Sequence, residues 1–305
     1  MPIGEFSMVI WSAPKPTGKQ SDKEASVAVR NDVIGNAMTA NSRRRPRPPV
    51  LLRQDKDGIA TLTLNRPERL NALFLELLRA LLREFEAMAE DKSPRLVVLA
   101  ANGEAFCAGH DLEEIRDTGN RRALKALFDE CSKTMLAITR VPSPVIARVH
   151  GIATAAGCQL VAMCDLAVAA EEARFATSGV NLGLFCSTPM VALTRNLPRK
   201  QAMEMLLTGD FIDAETALRY GLVNRVVPAG DLDEAVAELA GKVAGKSPAA
   251  VAFGKRLFYR QIEAGIEEAY ALAADTMAGN MMTEDARDGI DAFMEKRPAP
   301  EWKDR

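Results

Sequence analysis

The sequence predicts an α/β protein with a helical C-terminal region, and three observations support this fold class. Between residue 50 and about residue 230, short strand-like runs alternate with helical apolar stripes. Beyond Asp231 the strand pattern fades and helical segments fill the remainder. The 305-residue chain is 48% hydrophobic, which is enough for one large core. Strands separated by helices need crossover connections, so parallel pairing is expected.

The first 48 residues differ in composition from the rest of the chain. They are rich in Ser, Pro, Ala and charge, and they end near the basic cluster RRRPRPP at 43–49. Acidic residues such as Glu5 and Asp22 are not typical of a transit peptide, and the segment has no apolar core for secretion. We predict a disordered extension or linker at 1–48, a core domain at 49–230 and a helical region at 231–305.

The individual elements follow from the local patterns. Residues 51–53 and 59–64 are strand-like and flank the turn at 55–58, which predicts a hairpin. Asn71 is predicted to cap a helix with an apolar stripe of period 3.6 at Leu73, Leu77, Leu78, Leu81, Leu82, Phe85 and Met88. Further strands are predicted at 96–100, 145–149 and 166–169, and C-terminal helices at 232–245, 248–263, 266–280 and 284–296.

Composition favours a small-molecule partner. A net charge of −2 gives no broad basic field for nucleic acid or an anionic membrane. Charged residues interrupt every apolar run before it could span a bilayer. The chain has two His residues and five cysteines without paired spacing (Cys107, Cys131, Cys158, Cys164 and Cys186), so no metal site is expected. The unpaired thiols predict a reducing, cytoplasmic location.

Two turns of small residues each precede an apolar helical run. The first is FCAGHDL at 106–112, and the second is GIATAAGCQL at 151–160. Two such turns can direct two backbone N–H groups at one oxygen. Donors fixed where negative charge develops need no reorganisation during the reaction, so this arrangement suits the enolate of a thioester.

Four motifs together resemble the enoyl-CoA hydratase/isomerase (crotonase) superfamily. They are LNRPERLNAL at 64–73, the Ala-Gly-x-Asp turn at 108–111, the glycine-alanine turn ending at Cys158, and Met163-Cys164-Asp165. The resemblance extends from Val50 to the C-terminus. It implies a crotonase-like spiral of ββα units with a helical C-terminal trimerisation region, assembled as a homotrimer or dimer of trimers. Within the superfamily, 153–161 and 183–189 are most similar to the enoyl-CoA hydratase domain-containing protein 3 subgroup.

The resemblance also implies the roles of individual residues. A coenzyme A thioester is the expected substrate, with no separate cofactor. The backbone N–H groups of His110 and Ala156 would form the oxyanion hole, and alanines at 155 and 156 replace common glycines, which is acceptable if φ stays negative. Residues assigned to coenzyme A or the acyl group are Arg66, Arg69, Ala108, Gly109, Cys186, Lys255 and Phe258. Glu113 stands where the family often has a basic residue.

The catalytic carboxylates are the main departure from the family pattern. Gln159 and Gly179 occupy the positions of the two Glu residues that hydratases use. An amide cannot exchange a proton near neutral pH and glycine has no side chain, so each change is expected to remove about 10²–10⁴-fold of acid–base catalysis. The predicted function is an enoyl-CoA hydratase/isomerase-type lyase of fatty-acid metabolism with weak hydratase activity.

Two alternatives remain open at this stage. A malonyl-type acyl-CoA decarboxylase needs no base, because departing CO₂ leaves its electron pair on the enolate. The segments 108–111 and 180–183 resemble methylmalonyl-CoA decarboxylases, whose accompanying Tyr aligns with Cys186. The other alternative is a non-catalytic acyl-CoA-binding or assembly protein. His150, Asp111 and Asp165 are predicted to be structural.

Overall fold

The N-terminal hairpin of the sequence prediction is present in the computed structural model, which describes residues 48–91 and 94–303. Strands β1 (Leu51–Lys56) and β2 (Ile59–Leu64) pair antiparallel from Leu51 opposite Leu64 to Lys56 opposite Ile59. The connecting residues Asp57 and Gly58 have φ values of 51° and 77°. This two-residue left-handed turn matches the twist of the paired strands. The predicted extension, apart from Pro48, lies outside the described residues.

The hairpin opens a six-stranded sheet with the order β1-β2-β3-β5-β7-β10, parallel except for β1. The other strands are β3 (Leu96–Ala101), β5 (Val145–Val149), β7 (Leu166–Ala170) and β10 (Arg225–Val227). All six residues of β3 are buried. Val97 and Leu99 face the main core, whereas Leu96 and Val98 face a second, smaller core, because both faces of the sheet are covered.

A smaller sheet has the order β4-β6-β8-β9 and was missed by the sequence prediction. Its strands are β4 (Ala105–Cys107), β6 (Ile152–Thr154), β8 (Arg174–Ala176) and β9 (Ile212–Asp213). Each of β4, β6 and β8 follows a strand of the large sheet and precedes a helix. This threefold ββα repeat confirms the predicted spiral. Because β4, β6 and β8 run parallel, their carboxyl ends share one edge.

Helices surround both sheets, and the C-terminal ones agree with the sequence prediction. The first seven are α1 (Leu75–Asp91), α2 (Leu112–Thr118), α3 (Arg121–Arg140), α4 (Ala156–Met163), α5 (Ser187–Asn196), α6 (Arg199–Thr208) and α7 (Ala214–Tyr220). The last four are α8 (Leu232–Ala244), α9 (Pro248–Gln261), α10 (Ile266–Met281) and α11 (Glu284–Met294). Within the described part of the chain, none is both long and apolar enough to cross a membrane.

The prediction that Asn71 caps α1 is wrong, because α1 begins at Leu75. Asn71 is fully buried in a left-handed conformation with φ 53°, which Asn tolerates better than most residues. Its Nδ2 donates to the carbonyls of Asn102 and Ala105 at 2.8 Å each, and its Oδ1 accepts the Arg66 N–H at 2.9 Å. The Asn71 side chain therefore connects the turn before α1 to β4 by hydrogen bonds.

Candidate active site

Three turns meet at the carboxyl edge of the small sheet. The registers Cys107 opposite Ala153 and Thr154 opposite Ala176 bring the ends of β4, β6 and β8 side by side. The Ala155 N–H donates to the Ala176 carbonyl at 3.0 Å, and the hydroxyls of Thr154 and Ser178 are 2.9 Å apart. The segments after these strands contain His110, Ala156 and Gly179. Parallel pairing thus brings together three positions that are far apart in sequence.

The first two turns are in direct contact, and glycine is required where they meet. A Cβ built on Gly109, which has φ +93°, would lie 2.9 Å from Ala155 Cβ and 3.3 Å from the Ala156 nitrogen. A Cβ on Gly157 would lie 2.1 Å from the Cys107 carbonyl oxygen. No side chain fits into either contact without moving the backbone. The two turns therefore approach as closely as their main chains allow.

The main-chain hydrogen bonds leave the predicted oxyanion donors available. Leu73 donates to the Gly109 carbonyl at 2.7 Å and accepts from the Asp111 N–H at 3.0 Å. Because successive peptide groups of an extended segment point in opposite directions, the N–H of His110 faces away from Leu73. Ala156 is the first residue of α4, so its N–H has no acceptor within the helix. Neither N–H donates to a backbone carbonyl elsewhere in the described residues.

The backbone at Ala155 differs from the prediction of negative φ. Its φ is +50° and its ψ is −118°, a conformation that favours glycine. A non-glycine residue held in such a region costs about 1–3 kcal/mol. The prediction assumed that an alanine in place of the family glycine would keep an ordinary helical backbone. Contact with Gly109 and the bond to Ala176 hold the strained turn instead.

Ala155→Gly is expected to raise the free energy of unfolding by about 1 kcal/mol, because relief of the strain exceeds the added entropy of the unfolded chain. Ala162→Gly, within helix α4 that follows Ala155 and 6% exposed, is the control and should lower the free energy of unfolding by about 1 kcal/mol. Urea unfolding of both variants measures the difference. Equal destabilisation by the two substitutions would show that Ala155 is unstrained.

The His110 ring is largely buried and lacks a hydrogen bond. It packs edge-on against Phe128, with ring centroids 5.2 Å apart. Neither ring nitrogen forms a hydrogen bond of good geometry with another described residue. Burial lowers the pKa of His110, and the nearby Leu73 backbone opposes this only in part. The imidazole is therefore neutral near pH 7 and retains one donor and one acceptor nitrogen.

Asp111 has a structural role next to this ring. Its carboxylate accepts the N–H groups of Glu113 and Glu114 and so caps α2. It also forms an ion pair with Arg66, with Nη1 and Oδ2 2.8 Å apart. Burial opposes ionisation of Asp111, but the Arg66 hydrogen bond and the helix N–H groups outweigh it and lower the pKa. The Asp111 carboxylate is therefore held in the helix cap by these contacts and not by the predicted oxyanion donors.

The positions of the missing carboxylates have different surroundings. Gln159 is 4% exposed, and its Oε1 has no hydrogen-bond partner among the described residues. It lies one helical turn after Ala155, whose carbonyl accepts the Gln159 N–H at 3.1 Å. A Cβ on Gly179 would lie 2.6 Å from the Leu184 carbonyl oxygen and 2.8 Å from Cys186 Sγ. The fold excludes a side chain at 179 in its present form.

The enoyl-CoA hydratase/isomerase family model matches residues 54–305. The chain belongs to this family. It is 44% identical to rat enoyl-CoA hydratase domain-containing protein 3, mitochondrial, over 88% of both chains. A Mycobacterium smegmatis enoyl-CoA hydratase structure is 59% identical, covers 84% of this chain and 99% of its own, and has a TM-score of 0.82. The human domain-containing protein 3 structure is 43% identical, covers 82% and 99%, and has a TM-score of 0.80.

These relatives confirm the resemblance and the crotonase-like fold. They contradict the predicted cytoplasmic location, because the rat, mouse and human relatives are all named as mitochondrial proteins. The prediction relied on the cysteines, which are five buried free thiols in the structure. Reduced thiols are compatible with more than one compartment, so the composition could not distinguish them.

The two arginines predicted to contact coenzyme A are already engaged with other groups. Arg66 pairs with Asp111 and lies 4.2 Å above the Phe74 ring, and Arg69 pairs with Glu113 at 3.0 Å. A phosphate would have to replace these carboxylates. Phe258 is 54% exposed, so its ring is available for stacking.

Lys255 is buried in a polar cluster instead of facing solvent. Its Nζ donates to the carbonyls of Ile138 and Ser143 at 2.9 Å each and to Asp165 Oδ2 at 2.6 Å. The Asp165 carboxylate also accepts the Tyr259 hydroxyl at 2.8 Å and the Val145 N–H at 2.7 Å. These bonds use all three ammonium hydrogens. The geometry therefore favours a structural role that ties α9 to α3 and β5.

The two histidines make stability depend on pH. Burial lowers the pKa of both His110 and His150 in the folded state. The stabilisation is complete above the unfolded pKa of about 6.5 and is lost as the pH falls from there toward the folded pKa, by up to about 1.4 kcal/mol per pH unit for the largely buried His110 and by less for the more exposed His150. His110→Gln should make the free energy of unfolding, measured with urea, decline less steeply between pH 7 and pH 5. His150→Gln is the comparison variant. An unchanged slope in His110→Gln would contradict the burial of that ring.

Proposed function

We propose that this family member binds a coenzyme A thioester and stabilises its enolate with the backbone N–H groups of His110 and Ala156. One observation carries the proposal: the turn containing His110 touches the turn containing Ala156, with the nitrogen of Ala156 3.3 Å from a Cβ built on Gly109. Two unpaired main-chain donors at one edge of the sheet are suited to an oxygen that becomes negative. The name of the M. smegmatis relative, enoyl-CoA hydratase, supports a thioester substrate.

Hydration at this site is expected to be slow. Gln159 cannot activate water, and Gly179 contributes no side chain, so about 10²–10⁴-fold is lost at each position relative to a site with both carboxylates. What remains is stabilisation by the two N–H groups of an enolate that forms on the bound thioester. We assign the chain to a weak hydratase or isomerase, a lyase of fatty-acid metabolism.

Decarboxylation of a malonyl-type thioester is a second candidate, favoured by His110. The imidazole is neutral, largely buried and free of hydrogen bonds of good geometry among the described residues. A neutral ring can donate to one carboxylate oxygen without neutralising the charge. Loss of CO₂ then yields the same enolate without a base.

A homotrimer, or a dimer of trimers, is the proposed assembly. The C-terminal helices expose large apolar side chains, among them Ile266 at 75% and Phe293 at 82%. Apolar surface of this kind marks an association face in a soluble protein. Light scattering of the purified chain measures the oligomer, and a monomer at micromolar concentration would contradict this assignment.

Turnover and binding assays on one purified protein separate these functions. Crotonyl-CoA reports hydration, methylmalonyl-CoA reports decarboxylation, and calorimetry with butyryl-CoA reports binding alone. Gln159→Glu is expected to raise hydration at least about tenfold by restoring one acid–base group. Gln54→Glu, on exposed strand β1, is the control and should leave the rate unchanged.

Each result has a distinct meaning. Carbon dioxide release from methylmalonyl-CoA would favour the decarboxylase. Butyryl-CoA binding without any turnover, in both wild type and Gln159→Glu, would identify a non-catalytic acyl-CoA-binding protein. Absence of binding would contradict the thioester proposal itself.

A further inference from the structure

The segment at 66–73 lies along the turn that carries His110. Leu73 is the partner of His110 in an isolated parallel bridge. The Leu73 N–H donates to the Gly109 carbonyl at 2.7 Å, and the Leu73 carbonyl accepts the Asp111 N–H at 3.0 Å. These bonds pair the residues on both sides of His110 and leave its own N–H without a backbone acceptor in the described part of the chain. The direction of that N–H therefore depends on where the segment at 66–73 is held.

Asn71 holds this segment against β4. Its side chain is fully buried. Its Nδ2 donates to the carbonyls of Asn102 and Ala105 at 2.8 Å each, and its Oδ1 accepts the Arg66 N–H at 2.9 Å. Ala105 is the first residue of β4, the strand from which the His110 turn continues. Because the amide is inaccessible to solvent, Asn71 can affect the site only through the backbone that it holds.

Arg66 holds the far end of the same turn. Its Nη1 lies 2.8 Å from Asp111 Oδ2, and the two side chains are 20% and 11% exposed. Asp111 directly follows His110 and caps α2. The guanidinium also lies 4.2 Å from the centre of the Phe74 ring, so it has a contact besides the carboxylate. A partly buried ion pair is screened less than an exposed one, so Arg66 restrains the residue next to the proposed donor.

We propose that Asn71 and Arg66 are positioning residues that fix the direction of the His110 N–H. The proposal rests on the proposed function, in which the acceptor of this N–H is the thioester oxygen. Neither side chain takes part in the reaction itself. A donor that is already oriented stabilises a developing negative charge more than one that must first reorient. This role for Arg66 differs from the coenzyme A contact that the family resemblance implies, and the two roles predict different results.

Acetoacetyl-CoA is a suitable probe, because it forms an enolate without a base from the protein. The hydrogen on the carbon between its two carbonyls is acidic and leaves to solvent as a proton, and the enolate absorbs in the near ultraviolet. Oxyanion donors raise the ratio of enolate to ketone in the bound molecule. Absorbance of the saturated complex at one pH therefore measures the donors. Calorimetry with free coenzyme A, which has no acyl group, measures binding of the remainder of the molecule.

Asn71→Gly removes the amide but keeps the left-handed backbone, because glycine adopts a φ of 53° without strain. We expect the enolate-to-ketone ratio of bound acetoacetyl-CoA to fall at least about tenfold, with unchanged affinity for free coenzyme A. Asn196→Gly is the matched control. The Asn196 Nδ2 also donates to two carbonyls, those of Ala162 and Ala192, at 2.9 and 2.8 Å. This control should be less stable in urea than the wild type and keep the wild-type ratio.

Arg66→Gln is the second variant, and it decides the result if Asn71→Gly does not fold. It should lower the ratio at least about threefold and leave the affinity for free coenzyme A unchanged. A contact between Arg66 and the phosphates predicts the reverse, weaker binding of free coenzyme A with an unchanged ratio. Arg53→Gln is its control and should match the wild type in both measurements. Arg53 forms an ion pair with Glu84 at 3.0 Å, and its side chain is 28% exposed.

The wild type distinguishes this inference from the function on which it rests. If bound acetoacetyl-CoA contains no more enolate than the free molecule, the oxyanion proposal is wrong and the positioning roles are wrong with it. If the wild type shows the enolate and the folded variants keep its ratio, only the positioning roles are wrong. They are also wrong if the ratio and the affinity for free coenzyme A fall by the same factor, because that result indicates a general loss of structure.

Discussion

Gly109→Ala is expected to abolish acyl-CoA binding and to lower the free energy of unfolding by about 3 kcal/mol or more. The new Cβ would lie 2.9 Å from Ala155 Cβ, 3.1 Å from the Thr154 carbonyl oxygen and 3.3 Å from the Ala156 nitrogen. Two of these three atoms belong to the backbone, so rotation of a side chain cannot relieve the contact. The turns would have to separate, and the two N–H groups would no longer serve one oxygen.

Gly183→Ala is the control variant. It has the free-energy cost of a left-handed alanine without the steric contact that Gly109→Ala creates. Gly183 has φ +75°, but a Cβ there meets nothing within 4 Å. Its substitution should cost only the left-handed conformation, about 1–2 kcal/mol. Urea unfolding and calorimetry with butyryl-CoA measure both variants. If the two lose equal stability, or if Gly109→Ala keeps its affinity, the turns are not packed as described.

Lys255→Met is expected to lower the free energy of unfolding by about 3–5 kcal/mol, because it leaves the Asp165 carboxylate without its partner in a largely buried site. The side chains of Lys255 and Asp165 are 6% and 15% exposed. Affinity for butyryl-CoA should be unchanged, because all three ammonium hydrogens bind within the protein. A role at coenzyme A phosphates predicts the opposite result, weaker binding with little loss of stability.

Lys242→Met is the matched control for this variant. Lys242 also forms an ion pair on a helix, with Glu238, but its side chain is 62% exposed. Exposed pairs contribute about 0–1 kcal/mol, so the control should unfold almost like the wild type. Adding Asp165→Asn to Lys255→Met should recover part of the lost stability, because it removes the unpaired charge. No recovery would mean that the cost lies in packing.

Strong local patterns made much of the fold predictable. Alternating apolar residues around Asp57-Gly58 determine the hairpin, and the stripe from Leu77 to Met88 determines α1, because burial of an apolar face outweighs weaker local preferences. The C-terminal helices follow from the same period. The glycine-alanine turns also indicate, from sequence alone, which backbone groups are candidates for the site.

Features that depend on distant contacts were not predictable. Strands β4, β6, β8 and β9 have only two or three residues each, too few for any alternation to be visible. Lys255 resembles any exposed lysine on an amphipathic helix, because its partner Asp165 lies 90 residues away in sequence. The positive φ of Ala155 arises from contact with another turn, and the residue types around it give no sign of that contact.

The threefold ββα repeat makes ligand affinity a property of the whole spiral. Each repeat supplies one of the three turns at the proposed binding edge, so no single repeat forms the proposed site by itself. A ligand that contacts all three turns binds only when the repeats are packed together, so its binding free energy also stabilises the interfaces between repeats. Under the proposed function, ligand should therefore slow hydrogen exchange far from the site, and mutations buried between repeats should weaken binding without touching the ligand.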